Sequence, residues 1–321
     1  MKPLPHRIGY FGKLPSRSDF VKASHDASLL AALDEWLAGV MDTLPSNARW
    51  KAQYDALAPV HFAFLSPARR HAIAGHLVAS RDASGRRFPF MMMRPIDVAE
   101  PSSFVRHCPL VLAPLWNSMA GAAAELLELP EPLPRLLALG ESEVALGSHC
   151  EGALAGFLDT GTVGSLGALL GRADPRELIM AVGMLLQPLL SYGLDDIEKS
   201  LVLPLPANPS AVFPVAAFWL ELVTPFVAGS NVELALFVTQ IGASPVLVIG
   251  FSGASARTLA AIADPAFAQD LLVTVDDTGW VDEPDASPLD LRALSSYLEQ
   301  THTPLRLARD LYLQTFVGAP S

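Results

Sequence analysis

Short extended segments and amphipathic helical segments alternate along this chain, and that alternation limits the fold more than any other feature. Residues 7–12 and 60–65 have the composition of strands. Residues 28–41 carry apolar side chains at the spacing of one helical face, and Asp26 or Ser28 can cap the helix that they predict. Strands mixed with amphipathic helices predict an α/β fold, here a three-layer α/β/α sandwich with a mixed sheet.

A β-hairpin and a long helix complete the first part of this pattern. Residues 73–79 and 88–94 flank a turn-forming stretch in which Gly85 occupies the position that needs a positive φ. Residues 104–129 predict a helix, which its two internal prolines kink or split. Both elements precede the proline-rich residues 130–134, where the composition of the chain changes.

That change begins with the proline-rich residues 130–134 and continues through the glycine-rich residues 140–171, where periodicity is weak. We therefore predict an N-terminal α/β domain over residues 1–135 and a C-terminal α/β domain with a helical tail over residues 136–321. The predicted elements of the second domain are, in order, helix 176–192, strand 200–205, helix 213–227, strands 232–239 and 245–251, helix 254–263, strand 271–275 and a helical tail over 288–317.

The composition predicts a cytoplasmic globular protein. The mean hydropathy is +0.34, but charges or prolines interrupt the apolar segments 109–129, 178–194 and 211–228, so these predict buried helices and not membrane spans. The first residues lack the apolar run of a secretory signal. The only cysteines, Cys108 and Cys150, are too few for a disulfide framework, which fits a reducing compartment.

Charge is distributed unequally along the chain. Up to His107 there are 14 Lys and Arg against 9 Asp and Glu, a net charge of +5, and from Cys108 onward there are 8 against 24, a net charge of −16. Residues 69–94 hold one acid, Asp82, and six arginines: Arg69, Arg70, Arg81, Arg86, Arg87 and Arg94. They predict either a cationic face for an acidic or phosphorylated partner, or a face that docks on the acidic part of the same chain. The acidic remainder disfavours nucleic acid.

The most distinctive stretch is residues 9–22, Gly-Tyr-Phe-Gly-Lys-Leu-Pro-Ser-Arg-Ser-Asp-Phe-Val-Lys. The pair Gly12-Lys13 suggests a phosphate-binding P-loop, but that motif needs glycine and a hydroxyl where this chain has Arg7 and Leu14. We therefore do not expect this loop to hydrolyse a nucleotide.

The same stretch resembles the N-terminal signature of the TagF family. Residues 82–90, Asp-Ala-Ser-Gly-Arg-Arg-Phe-Pro-Phe, resemble the Gly-Arg-aromatic-Pro strand entry of that family, and the resemblance covers the first third of the chain. It implies a non-enzymatic accessory protein of bacterial type VI secretion, a post-translational regulator that typically represses assembly or firing and is linked to the forkhead-associated component and threonine phosphorylation. Ser18 replaces a glycine of the family and would strain the loop if its φ were positive.

These two stretches supply the candidate residues for partner binding or for the family motif. They are Gly12, Lys13, Pro15, Arg17, Asp19, Phe20, Asp82, Gly85, Arg86, Arg87, Phe88 and Pro89. We expect Lys13 and Arg17 to be presented near the sheet edge and Phe20 to anchor the loop in the core. Asp19 either holds one of the loop's basic groups or, as we favour, pairs with Arg86 or Arg87.

An alternative function is a serine hydrolase of the α/β type. Residues 245–254 predict a strand that ends in G-x-S-x-A before a helix, which approximates a nucleophile elbow around Ser252. Asp276 or Asp277 and then His302 follow in the order of a catalytic triad. Ala254 replaces the last glycine, and an oxyanion loop of the HGGG kind is missing upstream.

Two His-Cys dipeptides, His107-Cys108 and His149-Cys150, raise the question of a metal site. Adjacent side chains diverge on a helix and point to opposite faces of a strand, so neither dipeptide chelates one ion well. We expect no metal, no cofactor and no enzymatic activity.

Overall fold

The computed structural model describes residues 7–193, 197–275 and 289–318. Within them one nine-stranded sheet has the order β2-β1-β5-β4-β3-β7-β8-β6-β9. The strands are β1 Gly9–Gly12, β2 Val21–Ala23, β3 Val60–Leu65, β4 His71–Val78, β5 Phe90–Asp97, β6 Ser200–Pro204, β7 Leu234–Ile241, β8 Ser244–Gly250 and β9 Leu272–Thr274. Neighbours are antiparallel except β6 and β9, which are parallel, so the predicted mixed sheet is confirmed.

Helices cover both faces of the sheet. They are α1 Ala27–Thr43, α2 Trp50–Asp55, α3 Pro101–Glu128, α4 Leu133–Glu141, α5 Cys150–Thr160, α6 Val163–Leu170, α7 Pro175–Leu186, α8 Leu189–Tyr192, α9 Pro209–Val227, α10 Ala256–Ala263, α11 Pro265–Leu271, α12 Leu289–Leu298 and α13 Leu305–Phe316. A 3₁₀ turn follows α1 at Leu44–Ser46. Helices α1, α2 and α10 pack on one face, and α3, α7, α9 and α13 pack on the other, which confirms the α/β/α layering.

The alternation of side chains along the strands creates the two cores. In β3, Phe62 and Phe64 pack against Trp36 of α1, whereas Ala63 and Leu65 belong to the core under α3 and α9. Both faces of the central strands are therefore apolar, as expected for a sheet that is covered twice.

The predicted cap of α1 is confirmed, but the predicted continuity of two longer helices is only partly right. The Asp26 side chain caps α1 by accepting hydrogen bonds from the backbone N–H groups of Ser28 and Leu29, both at 3.0 Å. The long helix α3 continues through Pro109 and Pro114, so the prolines do not split it. The predicted helix 176–192 is instead divided into α7 and α8.

Some elements were missing from the sequence prediction: β2, α2, α4, α11 and, within the glycine-rich residues 140–171, α5 and α6. Thr162 and Ser165 form a capping box at the start of α6. The glycine content concealed these helices because helix propensity is weak there, and their stability comes from packing on the core.

The predicted division at residue 135 remains a prediction. Strands from both sides of it join in one sheet, because β3 pairs with β7 over five registered residue pairs. Helices α3 and α9, one from each side, also pack in a single core.

Among the described residues, α3 and α9 are long and apolar enough to cross a membrane by length and composition. Of the most apolar stretch of each helix, 39% of α3 and 72% of α9 is buried inside the protein. Core helices of globular proteins pass the same test, so the two helices are weak evidence for membrane insertion.

Candidate protein-interaction site

The two motif-like stretches meet at one end of the sheet. Strand β1 pairs with β5, which brings the loop of residues 13–20 against the hairpin tip of residues 80–88. The Ser80 hydroxyl donates to the Lys13 carbonyl at 2.6 Å, and the Ala83 N–H donates to the Arg17 carbonyl at 2.8 Å. We call the solvent-facing part of these two segments the loop–hairpin surface.

Gly12 makes this close approach possible. Its φ is +136°, and a Cβ atom there would lie 2.0 Å from the Pro89 carbonyl oxygen and 2.7 Å from the Phe90 Cα. A side chain is therefore excluded both by backbone conformation and by space. Gly85, in the hairpin turn, has the predicted positive φ of +83° but open space around it, so only its conformation requires glycine.

A buried ion pair joins the loop to the hairpin. The Lys13 ammonium lies 3.0 Å from Asp82 Oδ2, and the Asp82 side chain has no exposed surface. Lys13 is therefore not presented to a partner, contrary to expectation, because its charge is used inside the protein. Asp82 Oδ1 also accepts hydrogen bonds from the Ser84 N–H and hydroxyl and from the Arg86 N–H.

Asp82 is ionised in this arrangement. Burial raises the pKa of its carboxyl, but the hydrogen bonds from Ser84, Lys13 and Arg86 outweigh burial and hold the pKa well below its ordinary range. A carboxylate with that many donors keeps the hairpin tip in one conformation.

Phe20 covers the ion pair instead of anchoring the loop in the core as expected. Its ring stacks on Phe11 at a centroid distance of 5.3 Å and meets Phe88 edge-on at 5.0 Å. The Lys13 ammonium lies 5.0 Å from the Phe20 centroid, a cation–π contact. Since 46% of Phe20 remains exposed, the ring is available to a partner.

The two arginines of the hairpin have different roles. Arg86 donates from Nε to Asp82 at 2.7 Å and from a terminal nitrogen to the Ser18 carbonyl at 2.9 Å, and 64% of its side chain is exposed. Arg87 makes a bidentate contact with Asp55 of α2 at 2.6 and 2.8 Å. The expected pairing of Asp19 with Arg86 or Arg87 is therefore wrong, because nearer carboxylates occupy both arginines.

Arg17 and Asp19 are exposed, and neither side chain forms a hydrogen bond or ion pair with another described residue. Pro15 precedes them in the turn that the Arg17 N–H closes on the Leu14 carbonyl at 3.0 Å. Ser18 is not strained by a positive φ, since His149 is the only described non-glycine residue with one.

The six arginines do not form a single cationic face. Arg69 and Arg70 precede β4, whereas Arg81 follows it. The eight residues of β4 span about 27 Å, which separates Arg69 and Arg70 from Arg81. Arg69 pairs with Glu233 of the C-terminal part, and Arg94 is buried and donates to the Val144 carbonyl.

Ser252 lies in the turn after β8, and its hydroxyl group is engaged with the backbone and not with a catalytic base. Its hydroxyl donates to the Ile197 carbonyl at 2.6 Å, and no hydrogen bond joins it to a histidine among the described residues. Helix α10 starts four residues later, at Ala256. Asp276 and Asp277 lie outside the described residues, and His302 lies just before α13.

The histidine and cysteine dipeptides gain no metal-binding partners in the fold. Across residues 7–193, 197–275 and 289–318, no group of three or more His, Cys, Asp or Glu side chains could hold a metal ion. His107, His149 and Cys150 do line one cavity of about 590 Å³, where burial raises the pKa of the Cys150 thiol.

Sequence reasoning missed a histidine pair, the half-buried His61 and the buried His76. The two rings face each other across β3 and β4 with their Nδ1 atoms 3.0 Å apart. Burial, and for His61 also the neighbouring ring, lowers the pKa of His61 to about 3, and burial lowers that of His76 to about 4. Only the register of the hairpin, which the sequence does not show directly, reveals the pair.

The loop–hairpin surface lies within the part of the chain that matches a known protein family. Residues 9–139 match the family model of the TagF N-terminal domain, described as type VI secretion system-associated. No curated protein matches the chain. Three chains of solved structures match it. One is the crystal structure of PA0076 from Pseudomonas aeruginosa PAO1 at 2.05 Å resolution, with 22% identity over 43% of this chain and 64% of that chain and a TM-score of 0.37. This chain thus spans less than two thirds of the length of that structure.

Proposed function

We propose that this protein is an accessory, post-translational regulator of type VI secretion, because residues 9–139 match the family model of the TagF N-terminal domain, which is described as type VI secretion system-associated. It acts as a repressor, in the cytoplasm, by contacting another component of the system. The expected partner is the forkhead-associated protein, as the family resemblance implies.

The loop–hairpin surface is the observation that carries the proposal. Arg17, Phe20 and Arg86 are all exposed on the loop–hairpin surface, whose backbone is held in place by buried polar contacts. Arginine and aromatic side chains are the usual anchors of protein interfaces, and a surface that is already ordered loses little entropy on binding. The chemistry therefore favours an acidic surface on the partner.

A secretion assay in the bacterium tests the proposal. Deletion of the gene is expected to raise secretion of a type VI-dependent substrate, and the wild-type gene is expected to restore repression. Arg17→Glu, which changes no internal contact, is expected not to restore it. The control is Arg257→Glu, because Arg257 is an exposed arginine that pairs with Glu198 in the C-terminal part.

Equal repression by Arg17→Glu and wild type at equal protein level would contradict the role of the surface. If deletion lowered secretion, the sign of the proposed regulation would be wrong.

We further propose that the protein catalyses no reaction of its own. The use of the Ser252 hydroxyl to tie its turn to Ile197 supports this part. Ester hydrolysis by the purified protein that disappears in Ser252→Ala would overturn it.

A further inference from the structure

Strand β2 lies at one end of the sheet, directly after the loop that carries Arg17 and Phe20. Among the described residues it pairs only with β1, so its other edge faces solvent. In an antiparallel sheet, the N–H and C=O groups of successive residues point alternately toward the two sides of the strand. The hydrogen bonds further inside the sheet therefore determine which groups of β2 point outward.

Hydrogen bonds at the two ends of β5 fix this alternation. The Val98 N–H donates to the Arg70 carbonyl at 2.9 Å, one step beyond the ladder between β4 and β5, so the even-numbered residues of β5 bond to β4. The Lys13 N–H donates to the Pro89 carbonyl at 3.4 Å, one step beyond the ladder between β1 and β5, so the odd-numbered residues of these two strands bond to each other. Both observations leave the even-numbered residues of β1 bonded to β2.

Lys22 is the residue of β2 whose backbone groups remain outward. Tyr10 is opposite Ala23, and Gly12 is opposite Val21, so Val21 and Ala23 use their backbone groups on β1. Lys22 lies between them and directs its N–H and C=O away from β1. The edge therefore offers one backbone donor and one backbone acceptor to solvent.

The side chains beside this edge are aromatic and cationic. Lys22 is opposite Phe11, so the two side chains lie on the same face of the sheet, and Phe20 stacks on Phe11. Three exposed cations outnumber one exposed acid in this region: Arg17, Lys22 and Arg86 against Asp19. The electrostatic surroundings of the edge favour a negatively charged segment.

We propose that an extended acidic segment of a partner protein adds an antiparallel strand to β2 through the outward N–H and C=O of Lys22. An antiparallel strand suits a single outward residue, because both of its groups then bond to one residue of the segment. A carboxylate of that residue faces the Lys22 ammonium, and an apolar side chain two residues later faces Phe20. The inference rests on the proposed function in that the segment belongs to the partner of the loop–hairpin surface.

The charge of Lys22 makes this edge selective. Short edge strands that carry lysine resist pairing with other strands, and two copies of this chain joined at β2 would bring two Lys22 side chains together. A carboxylate opposite Lys22 turns that repulsion into attraction. The edge thus rejects a second copy of this chain and accepts an acidic strand.

Nuclear magnetic resonance of the full-length protein labelled with ¹⁵N only at lysine tests the backbone contact. The chain has five lysines, and the Lys22 signal is the one that disappears in Lys22→Ala. The probe is the capped peptide Thr-Glu-Thr-Leu-Thr-Glu, and its control has lysine in place of glutamate. The acidic peptide is expected to shift the Lys22 amide signal and to slow its exchange with solvent. The signal of Lys199, which precedes β6 near the other edge of the sheet, should not move.

Two substitutions of Lys22 separate the backbone contact from the charge. Lys22→Ala removes the ammonium alone, whereas Lys22→Pro also removes the outward N–H, at an edge position where proline is tolerated. Fluorescence anisotropy of the labelled acidic peptide should show weaker binding to Lys22→Ala than to wild type. Binding to Lys22→Pro should be weaker than to Lys22→Ala by a further factor of about five or more. Circular dichroism establishes that both variants are folded, and if Lys22→Pro is not, the exchange rate of the wild-type amide decides.

An unchanged Lys22 amide signal at the highest soluble concentration of the acidic peptide would overturn the strand addition, as would an equal shift with the lysine peptide. Equal affinities of folded Lys22→Ala and Lys22→Pro would show that only side chains bind. Because the probe is not a component of the secretion system, these outcomes leave the secretion assay of the proposed function independent. Lost repression in Arg17→Glu without any binding of the acidic peptide would retain the proposed function and overturn the strand addition.

Discussion

Two turns of this protein have motif-like sequences, and the structure uses them differently. Each is marked by a glycine with positive φ: Gly12, at +136°, ends β1 just before the loop, and Gly253, at +61°, lies in the turn after β8. In the first, five hydrogen bonds or ion contacts converge on Asp82 and leave Arg17 and Phe20 exposed. In the second, the Ser252 hydroxyl merely closes the turn onto Ile197.

The difference teaches that the residues that make a motif recognisable need not be those that contact a partner. Gly12, Lys13, Pro89 and Asp82 build the loop–hairpin junction, whereas Arg17, Phe20 and Arg86 occupy its surface. Substitutions in the two groups should therefore separate stability from binding, and substitutions in the β8 turn serve as controls.

Gly12→Ala is expected to have the largest effect. The new Cβ would clash with the Pro89 carbonyl, and the backbone conformation is unfavourable for alanine, so the free energy of unfolding should fall by about 3 kcal/mol or more. In Gly253→Ala the nearest atom is Oε2 of a Glu233 side chain that can move, and the loss should be about 1–2 kcal/mol. Urea denaturation of both variants tests the ranking, which equal losses would contradict.

Asp82→Asn should be the next most damaging substitution, and its effect should depend on pH. Because the folded pKa lies below the ordinary value of 3.8, the carboxylate contributes stability above that pH and loses it as the pH falls toward the folded pKa. The difference in melting temperature between wild type and Asp82→Asn should therefore be largest near pH 7 and shrink below pH 4. If this difference in melting temperature grew as the pH fell, the Asp82 carboxylate would not be stabilising the fold in the way proposed. Asp19→Asn, at an exposed position, serves as the control.

Phe20→Ala should have a smaller effect on stability. It removes the ring contacts with Phe11 and Phe88 but leaves the ion pair beneath them, so the loss should be about 1 kcal/mol. Thermal denaturation measures this loss. A loss as large as that of Gly12→Ala would mean that Phe20 is an anchor of the core after all.

Arg17→Ala should have the smallest effect on stability, within about 0.5 kcal/mol of wild type. The side chain has no partner among the described residues, so nothing inside the protein is lost. Urea denaturation is again the measurement, and a larger loss would reveal an internal role for Arg17.

The layered fold could be predicted from the sequence because periodicity and caps are local signals. Asp26 caps α1 as expected, and Gly85 adopts the expected positive φ. The partners of the charged residues could not be predicted in the same way. Charge predicts that Asp19 pairs with Arg86 or Arg87, but in the structure Arg86 binds Asp82 and Arg87 binds Asp55.

The same limit applies to burial within the site. Lys13 and Arg17 look equivalent as cations in one loop, yet one is buried in an ion pair and the other is exposed. That distinction depends on where the hairpin between β4 and β5 places Asp82, 69 positions from Lys13 in the sequence. The continuity of the sheet from β3 to β7 is likewise a long-range pairing that composition does not encode.

The most direct test of the account is the affinity of the purified forkhead-associated protein of the same bacterium for wild type, Arg17→Glu and Arg257→Glu. Calorimetry at matched ionic strength should show binding to wild type and Arg257→Glu with the same affinity. It should show at least about tenfold weaker binding to Arg17→Glu, since loss of one interface anchor costs more than about 1.4 kcal/mol. Equal affinity of all three proteins, with the fold of each intact, would contradict the claim that the loop–hairpin surface contacts this partner.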